Sequence, residues 1–105
     1  MKSTNDVSLS NDERMARLVA DLKLLAKGWR PGQLMLAACP IIERWHWTTY
    51  PGSADPALTG IVCGHPILAD GRPIVTSPVL ACDLTGRWAR TASRFYRLGR
   101  PLADV

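Results

Sequence analysis

Two hydrophobic periods divide the chain. Met15, Leu18, Val19, Leu22, Leu25 and Ala26 recur at helical spacing, which sets them on one side of a helix. Ser10 with Glu13 three residues on forms a capping box at the start. Lys23 and Lys27 suit the negative end of the helix dipole, and Gly28 suits the position just past the end. The pattern predicts an amphipathic helix over 11–27 whose apolar stripe docks on a sheet. Residues 1–9 are polar and unpatterned and read as a flexible tail, which leaves 10–105 as a single domain. Trp29-Arg30-Pro31-Gly32 is a connector, with a short second helix over 32–38 as the alternative, stopped by Pro40.

From Ile41 the period is two. Ile41, Glu43, Trp45, Trp47 and Thr49 alternate with Ile42, Arg44, His46, Thr48 and Tyr50, and the Trp45 and Trp47 pair marks the expected core face. Pro51 to Pro56 is a loop. A second strand is expected over 58–64, where Gly60 suggests a bulge or close backbone approach. Asp70-Gly71 is a hairpin turn. A third strand over 73–84 is placed at an edge, or in two pieces, because Pro78 has no N–H to give a ladder. After Thr85-Gly86, residues 87–98 fit either period; the short turn and the aromatic content favour a strand. The expectation is an α+β domain: an N-terminal amphipathic helix packed on a small antiparallel sheet or partial barrel of about four strands.

Composition changes this picture little. The chain has 105 residues, enough for one domain. Its net charge is +4 and its pI about 9.3, a balance that favours polyanions or acidic surfaces as partners. No apolar run approaches the roughly 20 residues of a membrane span. The polar N-terminus lacks the apolar core of a signal peptide, so a cytoplasmic location is expected, without membrane contact. Cys39, Cys63 and Cys82 are odd in number and widely spaced, as reduced thiols would be.

The run Gly64-His65-Pro66, Asp70-Gly71, Thr76-Ser77, Trp88-Ala89-Arg90-Thr91, Ser93-Arg94 and Tyr96-Arg97-Leu98-Gly99 resembles a group of short, uncharacterised bacterial proteins. These share the pattern G-H-P…D-G…T-S…W-A-R-T-x-S-R-x-Y-R-L-G near the C-terminus. The resemblance covers about residues 40–100. It implies a small β-rich domain that ends in paired strands, in a bacterial, phage or plasmid setting. It brings no activity, cofactor or catalytic residue with it.

The chemistry-bearing residues narrow the function by elimination. Cys63, His65, Cys82 and Asp83 are zinc-ligand types without zinc-ligand spacing, so no metal and no cofactor is expected. Ser77, His65 and Asp83 can be written as a triad, as can His46 with Cys39. Neither comes with a nucleophile elbow or an oxyanion-hole glycine run, and the reading is non-catalytic. What remains is Arg87, Arg90, Arg94, Arg97 and Arg100 with no acid between Leu84 and Pro101, interleaved with Trp88, Phe95 and Tyr96. Arginine forks hold phosphate oxygens and exposed rings stack bases. The expected function is binding of nucleic acid, or of a nucleic-acid-handling complex. Arg87, Arg90, Arg94 and Arg97 would make the contacts, with Tyr96 or Trp88 as stacking partners. On a single strand, Arg90 and Arg94 would project from one face and Arg97 from the other. The bland alternative lays the arginines over apolar surface or pairs them with Glu13, Asp21, Glu43 or Asp83. Another alternative is an inhibitor or adaptor of phage or mobile-element origin (anti-CRISPR-like) that docks on a host nuclease complex through Trp, Tyr and Arg anchors.

Overall fold

A computed structural model of the chain describes residues 10–104. The tail expected over 1–9 lies outside the described residues. Helix α1 spans Asn11–Ala26. The Ser10 hydroxyl accepts the Glu13 backbone N–H at 3.1 Å and donates to the Glu13 carboxylate at 3.1 Å, as the capping box required. Its apolar stripe is only half docked. Leu18 is buried and Leu25 packs under the sheet, whereas Met15 (58% exposed) and Val19 stay in solvent. The short second helix forms as α2, Gln33–Ala37, with Leu36 buried.

The sheet has six strands rather than about four: β1 Ile41–Thr49, β2 Pro56–Cys63, β3 Arg72–Val75, β4 Val79–Cys82, β5 Trp88–Thr91 and β6 Phe95–Leu98. Two expected strands each split. The third breaks at Ser77-Pro78, where Pro78 cannot donate. The fourth breaks at Ala92-Ser93, where the Thr91 hydroxyl accepts the N–H groups of Ser93 and Arg94 at 3.1 and 3.2 Å. That hydroxyl does the work more often given to glycine or proline.

The strand order is β3-β2-β1-β6-β5-β4. Neighbours are antiparallel except β1 and β6, which run parallel with Ile41 opposite Arg97 and Ile42 opposite Leu98. The sheet is therefore mixed and not antiparallel throughout. Its edge strands, β3 and β4, are consecutive in the chain. Thr76-Ser77-Pro78 joins them, a link that reaches at most about 14 Å. The sheet must curl to bring its own edges that close, yet no ladder joins β3 to β4 among the described residues, so it remains open.

A bulge in β1 sets the core. Glu43 faces Ile61 and His46 faces Thr59, so Arg44 and Trp45 share the single residue Gly60. Arg44 takes φ 54 to make this turn. A Cβ on Gly60 would lie 2.6 Å from Ile42 Cγ2 and 2.7 Å from the Glu43 carbonyl oxygen. The extra residue shifts the alternation: Ile42 is fully buried and Trp45 packs on the same core, while Trp47 is 49% exposed. Of the expected core pair, Trp45 packs on the core and Trp47 does not. Two apolar layers result. Inside the curl lie Ile42, Leu58, Val62, Val79, Ala89, Tyr96 and Leu98. Between sheet and helices lie Leu36, Trp88 and Phe95, with Leu25, Trp29 and Cys39 against them.

Candidate nucleic-acid interface

The β5–β6 hairpin decides where the arginines go. Trp88 pairs with Arg97 and Arg90 pairs with Phe95 across it. Directly opposite residues share a face, so Trp88, Arg90, Phe95 and Arg97 all project toward the helices. Ala89, Tyr96 and Leu98 project into the curl. The two-residue turn reverses the chain and resets the phase, so the expected division, Arg90 with Arg94 against Arg97, does not hold.

Arg90 is the clearest correction. It is 1% exposed and spans the interface between sheet and α1. Its Nε donates to Asp21 Oδ2 at 3.0 Å, its Nη1 donates to the Thr91 carbonyl at 2.8 Å, and its guanidinium lies 5.4 Å from the Phe95 ring centroid. Burial pulls its pKa down and the Asp21 carboxylate pulls it back up. A residue expected on a solvated ridge is in fact the ionic fastening of α1. Trp88 and Tyr96 are buried as well, Trp88 edge-on to Phe95 at 5.7 Å. They are core rings and not surface stacking partners.

The other arginines line two depressions on either side of α2. One, of about 420 Å³, lies between α1, the α2–β1 connection and the β5–β6 turn. Arg14, Arg17, Arg90 and Arg94 contribute four cations to its wall, against the single acid Asp21, which already holds Arg90. Met35, Cys39, Pro40 and Phe95 form its apolar part. The second, of about 950 Å³, is bounded by α2 and the β4–β5 turn and carries Arg30, Arg87 and Arg97 beside Asp83. Arg30 donates from Nη1 to the Leu25 and Trp29 carbonyls at 3.0 and 2.8 Å, closing the C-terminal end of α1. Asp83 is engaged too: its Oδ2 accepts from the Thr85 hydroxyl at 2.6 Å and from the Arg87 N–H at 3.1 Å. The Thr85 hydroxyl is the main cause that holds its carboxyl below the usual range.

Arg94 and Arg97 share one further property. The Nε of each is buried with no hydrogen-bond partner among the described residues. Buried donors of this kind are rare. Cys39 feels both charges, and its thiol donates to the Met35 carbonyl at 3.3 Å. Burial pushes the Cys39 pKa up, and the Arg97 and Arg94 charges oppose that.

The residues of the triad set aside in the sequence lie apart in their bonding. Ser77 Oγ lies 2.9 Å from Ser93 Oγ. His65 Nδ1 accepts the Ile67 and Leu68 N–H groups at 3.0 and 3.1 Å. With Asp83 bonded within its own turn, these three are each engaged elsewhere. No group of three metal-ligating side chains gathers among the described residues. No described helix is long and apolar enough to cross a membrane.

Reading the sequence missed Arg14, Arg17 and Arg30 as members of the site. Arg14 and Arg17 sit three apart in the first half of α1, a spacing that resembles any solvated helix face. Only the docking of α1 through Asp21 brings them into one depression with Arg94.

A sequence model described as "Family of unknown function (DUF6634)" matches residues 13–105. No curated protein and no solved structure matches the chain.

Proposed function

We propose, from the premise that the chain belongs to the DUF6634 family of unknown function, that it is a non-catalytic module that binds single-stranded nucleic acid through phosphate contacts. The observation that carries this reading is the pair of arginine-lined clefts flanking α2, whose two acids, Asp21 and Asp83, are already engaged by the protein. Asp21 is paired with Arg90 and Asp83 is held within its own turn, so the arginines that line the clefts outnumber the acids there. The contacts shift from the set expected in sequence. Arg14, Arg94, Arg87 and Arg97 line the clefts, and Arg90 builds the floor of one of them.

Counterion release supplies the test. The affinity for a short single strand of RNA or DNA is expected to fall steeply with salt. Replacing Arg14, Arg87 and Arg94 together by alanine should flatten the slope of log K against log salt by about 0.7 per lost phosphate contact. Absence of binding to any single strand at low salt would overturn the reading.

A protein partner is the second reading. It is favoured by the half-docked stripe of α1, with Met15 and Val19 exposed. Binding through that stripe would survive moderate salt and leave the arginine variants unaffected.

A further inference from the structure

The two clefts differ in a way that bears on which part of a strand each takes. The one behind the β5–β6 turn is small, about 420 Å³, at the lower end of the range for a site that holds one small ligand, about 300–1,000 Å³. Three separate elements wall it: α1 bears Arg14, the α2–β1 connection brings Cys39 and Pro40, and the hairpin bears Arg90 and Arg94. It is a depression for one group and not a channel for a backbone.

Its charge is concentrated. Asp21 neutralises Arg90 through the 3.0 Å ion pair, and Arg90 in turn spends Nη1 on the Thr91 carbonyl. Arg14 and Arg94 also line the cavity, and the Arg94 side chain hydrogen-bonds that of Tyr96 as well. The buried Nε of Arg94 lacks an acceptor among the described residues. A phosphodiester inside a strand carries one negative charge. A phosphomonoester carries about −1.5 to −2 near neutral pH and presents three acceptor oxygens. The dianion matches a small site lined by guanidinium groups from separate elements, and its extra oxygens can reach more than one wall at a time.

We infer that this cleft binds the terminal phosphomonoester of a nucleic-acid strand, while the larger groove beyond α2 follows the adjoining backbone. The inference rests on the nucleic-acid reading above and deepens it.

The experiment compares one short oligonucleotide in three forms: with a 5′-phosphate, with a 3′-phosphate, and with hydroxyls at both ends. Binding is followed by fluorescence anisotropy at fixed salt. One phosphorylated form is expected to bind about tenfold tighter or more than the hydroxyl-ended form, the scale of a charged hydrogen bond gained. Arg14→Ala and Arg94→Ala should each remove most of that preference and change the affinity of the hydroxyl-ended strand much less. Arg14 belongs to α1 and not to the hairpin, so it tests the site even where Arg94→Ala disturbs the hairpin. Equal affinity for all three forms overturns the inference and leaves the general reading standing. A preference that persists in both variants also overturns it, since the phosphate would then sit elsewhere. Failure of every form to bind removes the general reading, and this inference with it.

Discussion

At the scale of single residues, the Arg90–Asp21 pair shows how context assigns a role. The arginine is nearly inaccessible, and the carboxylate keeps 20% of its side chain exposed. Taking away one partner of a buried pair strands the other charge, at a cost of about 3–5 kcal/mol. Arg90→Ala is therefore expected to lower the urea midpoint strongly, and Asp21→Ala to do the same. The double replacement Arg90→Met with Asp21→Leu should be milder than either single change, because it removes both charges together. A double variant as unstable as the sum of the singles would show that the pair does not fasten α1. In the sequence Arg90 is one of five arginines in a row of like residues, and nothing local separates it from Arg87 or Arg94. Its partner lies 69 positions away. The identity of the ionic fastening was thus hidden, although Asp21 was among the acids that the bland alternative named.

At the scale of elements, α1 was the most legible. Its cap, its apolar spacing and its stop are all local signals, and the observed bounds fall within a residue of those expected. The strands were harder, because a strand's face depends on register and a bulge inverts it. Gly60 signalled a close approach in the sequence, but that approach is to β1, and its consequence is that Ile42 and Trp45, of opposite parity, share the core. Gly60→Ala is expected to destabilise by about 1–3 kcal/mol, since a methyl there meets backbone and a packed isoleucine. Arg44→Gly, at the left-handed position of the same bulge, should cost nothing or stabilise slightly, because glycine carries no steric penalty at φ 54. Chemical denaturation of both variants checks the pair of signs. A tolerant Gly60 would mean that the bulge can relax into regular pairing. The β5–β6 turn was illegible for a different reason. A threonine hydroxyl builds it, and threonine is equally at home within a strand.

At the scale of the whole molecule, the curl draws distant segments together, and one such contact senses pH. His65, in the β2–β3 connection, lies against the Tyr96 ring of β6 at a centroid separation of 6.2 Å. Its Nδ1 accepts two backbone N–H groups, so it must be unprotonated for the connection to hold. Desolvation, and after it the positive charge of Arg94, lowers its pKa below the ordinary 6.5. The neutral form is thus the one the fold favours. Its contribution is complete above pH 6.5 and is lost as pH falls from there through the lowered value, where the unfolded chain binds more protons. Thermal melts between pH 7.5 and the carboxylate range should show this decline, and His65→Asn, which keeps an acceptor without a titration, should flatten it. An unchanged slope in that variant would place the sensitivity elsewhere. The α+β class, the first helix, the loops and the basic C-terminal segment follow from the chain alone, because capping, periodicity and turn chemistry act between residues a few positions apart. The six-strand order, the parallel β1–β6 pair, the bulge phase and the division of arginines into fastening and cleft wall required the tertiary structure. Each depends on which distant residue stands opposite, and spacing along the chain carries no record of that.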